Sequence, residues 1–240
     1  MTSERVERLR LPQVTPQRAP SAASIASDYL RTLLLDGVLR PGDRVPVDEV
    51  AEALSLSRQP VREAIVGLES DGLVVTSPRR GTYVDRFDEE MIREHHELHG
   101  LLEARAVEQL VHRADPAILT RLRAVVRQTR RADDTNTLVQ GSADFRRLLA
   151  TGASPRLRAL LRTMTRFIPP AYYFERISGS SRLGRNMHPQ ILRAVEHGDA
   201  DQAAALVREL WQKAGDLVIA HLHDTEVLEI PGRGQPNTGL

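Results

Sequence analysis

The sequence predicts a mainly α-helical fold in two parts, a small three-helix unit closed by a β-hairpin and then an all-α helical bundle. Three observations predict it. Residues 54–84, LSLSRQPVREAIVGLESDGLVVTSPRRGTYV, run from a helix start through an amphipathic helix to two short β-like stretches around a basic glycine turn. Two more apolar-periodic segments precede this stretch at close spacing. After Asp85 the β-signals end, and long helical patterns continue to about Glu226.

Residues 1–20, with several arginines and three prolines, read as a flexible arm, either a plain disordered tail or one that touches DNA backbone. Residues 21–85 hold the first unit. A helix over 21–36 carries Ile25, Tyr29, Leu33 and Leu34 as its stripe, stops at Gly37 and leads into the turn-forming Pro41-Gly42. A short helix over 47–54 follows, with Val50, Ala51 and Leu54 apolar. Ser55-Leu56 leaves room only for a turn.

Ser57 is placed to cap the next helix with its hydroxyl, and Pro60 is tolerated in a first turn whose N–H groups lack intrahelical partners. From Arg58 onward Val61, Ala64, Ile65 and Leu68 share the inward face, leaving Arg58, Gln59, Arg62 and Val66 opposite. Gly72 ends the helix. Residues 73–76 and 82–84 are strand-like, joined through Ser77-Pro78-Arg79-Arg80-Gly81. The arrangement is a winged helix-turn-helix.

Arg58 and Arg62 lie four apart and project together near a helix N-terminus. There, guanidinium forks match guanine edges in a major groove, while free N–H groups meet phosphate. On an isolated helix such charges are ordinarily solvated. The turn, the wing and its paired arginines favour the nucleic-acid reading, with Arg79, Arg80, Gly81 and Thr82 beside a groove.

Residues 86–226 predict helices over 89–113, 116–132, 136–151, 155–167, 172–177, 184–197 and 200–223. Their stripes are Leu98, Leu101, Leu102 and Ala106, then Ile118, Leu122 and Val125, then Leu206, Leu210, Leu217 and Val218. Ile168-Pro169-Pro170 and Ser178-Gly179-Ser180-Ser181 interrupt as loops. Residues 227–240, rich in Pro and Gly, read as a tail.

Composition limits the alternatives. The net charge of +1 over 240 residues means that DNA affinity must come from local patches rather than from a generally basic surface. No cysteine is present, no apolar run reaches membrane-span length and the N-terminus lacks a signal-peptide core, so a cytoplasmic location is the expectation. No nucleophile–base pair or Gly-rich phosphate loop is found, so an enzyme is not expected.

Gly37-x-x-x-Pro41-Gly42, Ser57-Arg58-x-Pro60-Val61-Arg62-Glu63-Ala64, Leu68-Glu69-x-Asp71-Gly72-Leu73 and Gly81 together resemble the GntR family of bacterial transcriptional regulators. The second part is similar to the helical ligand-sensing domain of the FadR-type branch, known as FCD. The shared markers are Leu102-Glu103, Phe145, His188-x-x-Ile191-Leu192-x-Ala194 and Gly198-Asp199-x-x-x-Ala203.

The resemblance implies a homodimer on a palindromic operator, most often a repressor, controlled by a small effector. It further implies that Arg58, Gln59 and Arg62, with Ser57 at the helix start, meet bases or phosphates while the wing enters the minor groove. Where some relatives carry an arginine before the turn, this chain has Asp48, and that contact is not carried over. A winged-helix protein–protein adaptor is the alternative.

Many FadR-type members hold a divalent metal through four side chains in the helical domain. Alignment on Phe145 and His188 puts Ser142, Arg146, His188 and Leu210 at those positions, so neither a metal nor another cofactor is expected. His99 stands where the family has an arginine four residues before Glu103. Arg146 then reads either as the anchor for an anionic or polar effector beside His99 and His188, or as a salt-bridged or solvated side chain over a filled cavity.

His95, His96 and His99 fall within one turn and read as a solvated helix face. His221 and His223 read as groups favouring a helix C-terminus or facing water. Tyr172, Tyr173 and Phe174 form either a pocket wall or core and dimer packing, and Trp211 carries the same two readings.

Overall fold

The computed structural model describes residues 21–113 and 115–228. Three helices, α1 (Ala22–Leu35), α2 (Val47–Ala53) and α3 (Arg58–Ser70), precede an antiparallel hairpin of β1 (Val74–Ser77) and β2 (Gly81–Val84). The hairpin pairs Val74 with Val84 and Ser77 with Gly81, one residue displaced from the expected strands. Arg44 adds an isolated bridge to Tyr83, extending the wing on the side of the segment before α2.

Seven helices follow: α4 (Glu89–Arg113), α5 (Pro116–Arg131), α6 (Thr135–Leu149), α7 (Pro155–Met164), α8 (Pro170–Arg176), α9 (Ser180–Glu196) and α10 (Ala200–Asp224). Side-chain caps account for several starts. Asp115, Asp134, Ser154 and Asp199 each accept from a first-turn N–H of α5, α6, α7 and α10. α9 starts four residues earlier than expected, because Gly179 takes the left-handed conformation (φ 84°) and turns the serine run into a helix start instead of a loop.

The two parts share a hydrophobic core. Ala26, Leu30, Leu34, Val61, Ile65 and Leu68 of the first unit join Phe167, Tyr172, Val218 and Leu222 of the bundle. Leu228, expected to lie in the tail, is buried in this core at 5% exposure. In α1 the apolar stripe is rotated from its expected place: Ile25 is 43% exposed, whereas Ala26 and Leu30 are buried.

α4 departs most from expectation. Its buried stripe is Ile92, His96, His99, Glu103, Ala106 and Leu110, while Leu98 and Leu101 stand 47% and 48% exposed. The reading of His95, His96 and His99 as a solvated face is therefore wrong. α10 packs along α4 so closely that a Cβ on Gly215 would sit 3.1 Å from the His96 ring, which covers the histidine side of α4.

Candidate DNA-reading face and effector pocket

The first site is the open face of α3 with the wing. Ser57, Arg58, Gln59 and Arg62 are all exposed, as are Arg79 and Arg80, while Gly81 and Thr82 are half-buried. Ser57 has the extended backbone of a helix cap (φ −74°, ψ 165°), but contrary to expectation its hydroxyl makes no capping bond. Both that hydroxyl and the first-turn N–H groups of α3 are thus left for an outside acceptor. Glu69 of α3 accepts the Thr76 N–H at 2.9 Å, tying the wing to the recognition helix.

At the wing tip Arg79 adopts φ 67° and Gly81 φ 112°, so the turn projects its basic side chains beyond the strands. Arg44, which sequence reasoning missed, stands beside them, its Nε 3.0 Å from where a Gly81 Cβ would be. A side chain at Gly81 would both strain the backbone and displace this arginine. The missed signal was a basic residue two positions after Pro41-Gly42, on a segment that the sequence alone reads as a turn.

The second site is a small cavity inside the bundle. Ser142, Arg146, His188 and Leu210, the four positions aligned above, all line it, and His99 does so as well. The separation of the aromatic trio is clear. Tyr173 and Phe174 form part of the wall, whereas Tyr172 turns into the shared core. Tyr172 donates to Asp36 at 2.9 Å and meets His221 Nε2 at 2.9 Å, so His221, in the last turn of α10 as expected, is also held by this cluster.

Arg146 forms no hydrogen bond or close ion pair among the described residues, and the nearest opposite charge acting on it is that of buried Glu103. Its guanidinium carbon is 5.7 Å from the Trp211 ring centroid. The other face of the pocket is aromatic. His99 stacks on Trp211 at 3.5 Å, and His188 stacks on Phe145 at 4.1 Å. Trp211 Nε1 donates to buried Glu103. Both ring nitrogens of His99 and the Nδ1 of His188 are buried without a partner.

Burial first, then the Arg146 charge, lowers the His188 pKa to about 3 and that of His99 well below its usual value. Burial lowers His95 to about 3 as well. The imidazoles are therefore neutral, and burial pushes the Tyr173 hydroxyl up to about 12. A divalent metal does not fit this donor set. A hydroxyl, one imidazole and an aliphatic chain surround a permanent cation, and among the described residues no three His, Cys, Asp or Glu side chains converge to hold an ion.

Those neutral rings imply a pH dependence of stability. Below pH 6.5 the unfolded chain takes up protons that the folded chain refuses until about pH 3, so stability is full above about 6.5 and falls as pH drops. Each ring contributes a slope of about 1 kcal/mol per pH unit in that window. Buried Glu103, whose pKa burial raises, opposes this in part. Thermal unfolding should show a midpoint several degrees lower at pH 5 than at pH 7.5, and an equal midpoint would contradict the neutral assignment.

Comparison with known proteins matches both parts of the chain. Residues 23–84 match the family described as bacterial regulatory proteins, gntR family, and residues 91–213 match the FCD domain. The chain belongs to the GntR family. Its FCD domain assigns it to the FadR-type branch, whose members are transcriptional regulators and not enzymes. An uncharacterized HTH-type transcriptional regulator of Mycobacterium tuberculosis is 40% identical over 146 residues, covering 60% of this chain and 60% of that protein. The chain thus spans about 60% of the length of that relative.

The transcriptional repressor RspR of Escherichia coli is 32% identical over 91 residues, 38% of each chain. Among solved structures, E. coli McbR/YncC superposes with a TM-score of 0.59 at 22% identity, over 86% of this chain and 99% of that one. A GntR family member from Pseudomonas syringae pv. tomato gives 0.53 at 22%, over 85% and 87%. These structural likenesses establish the fold. Among the described residues, no helix of this GntR-family chain is long and apolar enough to cross a membrane.

Proposed function

We propose that the protein is a cytoplasmic repressor that binds a two-fold-symmetric operator as a homodimer and responds to a small anionic effector held in the FCD cavity. The observation that carries the effector reading is Arg146, a guanidinium with no hydrogen bond or ion pair among the described residues and only the nearby Glu103 as counter-charge, facing a cavity lined by apolar side chains, aromatic rings and neutral imidazoles. An arginine in such surroundings is strongly favoured by a carboxylate or phosphate that can take two of its N–H groups. His99 and His188 supply further hydrogen-bonding nitrogens, and Trp211 offers a stacking surface.

For the dimer, the exposed Leu98 and Leu101 on α4 give an apolar surface that a second copy would cover. For repression, the relative RspR carries that role in its name.

The strap from Met164 to Phe174 supports a route between the sites. Met164, Thr165, Ile168, Tyr173 and Phe174 line the cavity. Within the same strap, the Phe167 carbonyl accepts from Arg31 of α1 at 3.3 Å, and Arg31 pairs with Asp71 at the end of α3. Phe167 also stacks on His95, another cavity residue, at 4.0 Å. A ligand that moves the strap biases the position of α3 through Arg31.

The test is selection of duplexes from a random pool by the full chain, followed by release with a panel of small carboxylates and phosphates. An enriched inverted repeat that one of these ligands releases is the expected result. Arg146→Ala should leave operator binding intact and weaken the ligand response at least tenfold, as for loss of a charge-assisted pair. A response unchanged in this variant would remove Arg146 from the site.

A further inference from the structure

Asp48 and Arg58 face each other across the turn, one in the first turn of α2 and the other at the first position of α3. Their contact has two points. Arg58 Nε lies 2.7 Å from Asp48 Oδ1, and Nη2 donates to Oδ2 at 3.0 Å. With the two side chains 65% and 62% exposed, the pair adds little to fold stability. Its consequence is the direction in which the guanidinium points.

The carboxylate occupies the side edge of the guanidinium plane, Nε and Nη2. Arginine has five N–H donors in that plane, so the end edge, with one N–H on each Nη, stays free and points outward. The end edge matches the O6 and N7 acceptors of guanine. The neighbours are held differently. Gln59 donates to Glu63 at 3.1 Å, and Arg62 makes no hydrogen bond or ion pair among the described residues.

We infer that Asp48 is a positioning residue for base recognition: it fixes Arg58 with its end edge outward and thereby makes the chain select guanine at one position of each half-site. The inference rests on α3 being the recognition helix. Asp48 acts through Arg58 and touches no base. A side chain held in place before binding loses less freedom on reaching its target.

The same carboxylate keeps Arg58 from turning to the nearest phosphate, a contact that adds affinity without sequence information. It also repels phosphates, weakening binding to every duplex. Sequence preference therefore rises while sequence-independent affinity falls, and the two effects separate in an experiment.

Full-length wild type, D48A, D48N and R58A are each used to select from a random duplex pool, with folding checked by circular dichroism. R58A is expected to lose guanine at one position per half-site. D48A should weaken the guanine preference at that same position about fivefold to tenfold, and bind non-cognate duplex a few-fold tighter with a steeper salt dependence. D48N, which keeps a neutral acceptor, should fall between.

Enrichment of the wild-type sequence by R58A would sink the recognition-helix reading itself. If R58A loses the guanine while D48A and D48N retain it in full and merely bind every duplex more tightly, Asp48 is only a repulsive charge and the inference is overturned.

Discussion

Arg31→Ala is expected to lower the unfolding free energy by about 3–5 kcal/mol, because it removes one member of a buried ion pair and leaves the other uncompensated. Arg31 is 2% exposed and sits where the two parts of the molecule share a core. Its guanidinium pairs with Asp71 and also satisfies the Phe167 carbonyl, so the alanine variant strands both acceptors and leaves a cavity.

The thermal midpoint should fall by roughly 10 °C. A double variant, Arg31→Met with Asp71→Asn, should recover part of the stability, since it removes the uncompensated charge and refills the cavity while the Phe167 carbonyl stays unpaired. If the proposed route between the sites is right, that double variant still binds the operator but no longer releases it on effector addition. A double variant with an intact response would show that coupling runs elsewhere.

Arg58→Ala and Arg62→Ala are expected each to weaken binding to the selected operator by about 10–100-fold, corresponding to 1–3 kcal/mol for a lost bidentate base contact. Both side chains are exposed on the open face of α3, away from Val61, Ala64, Ile65 and Leu68, so neither change touches the core. Binding to unrelated duplex should change far less. Removing Arg79 or Arg80 from the wing should instead weaken all duplexes alike and reduce the salt slope by about one unit each. Titration of matched and unrelated duplexes at two salt concentrations separates the two patterns, and a uniform loss for Arg58→Ala and Arg62→Ala would assign them to the phosphates.

The DNA-reading unit was legible because its signals are local. Gly37, Pro41-Gly42, Ser57, Pro60 and Gly72 mark starts and stops, and all four predicted inward residues of α3 are buried. The bundle was legible in most of its helix boundaries and in the stripes of α5 and α10, but not in the face of α4. On α4 the buried stripe carries two histidines and a glutamate, so periodicity assigned the outward Leu98 and Leu101 to the core. Those polar groups face inward because Trp211 and Gly215 of α10, more than a hundred residues later, meet them there.

Arg31 illustrates the same limit from the other direction. It lies on an otherwise apolar face, and its partners Asp71 and Phe167 come from distant parts of the chain. No local pattern identifies such a residue. The pocket was found by resemblance, through the aligned positions Ser142, Arg146, His188 and Leu210, whereas its aromatic lining by Tyr173 and Trp211 needed the fold to choose between two readings.

Interference by N7-methylated guanine on the selected operator tests the central claim most directly. With α3 in the major groove, methylation of the guanine read by Arg58 in each half-site should block the wild-type chain, and Arg58→Ala should bind duplex methylated at that guanine and unmethylated duplex equally. Binding by the wild type that is indifferent to methylation at every major-groove guanine would contradict the account.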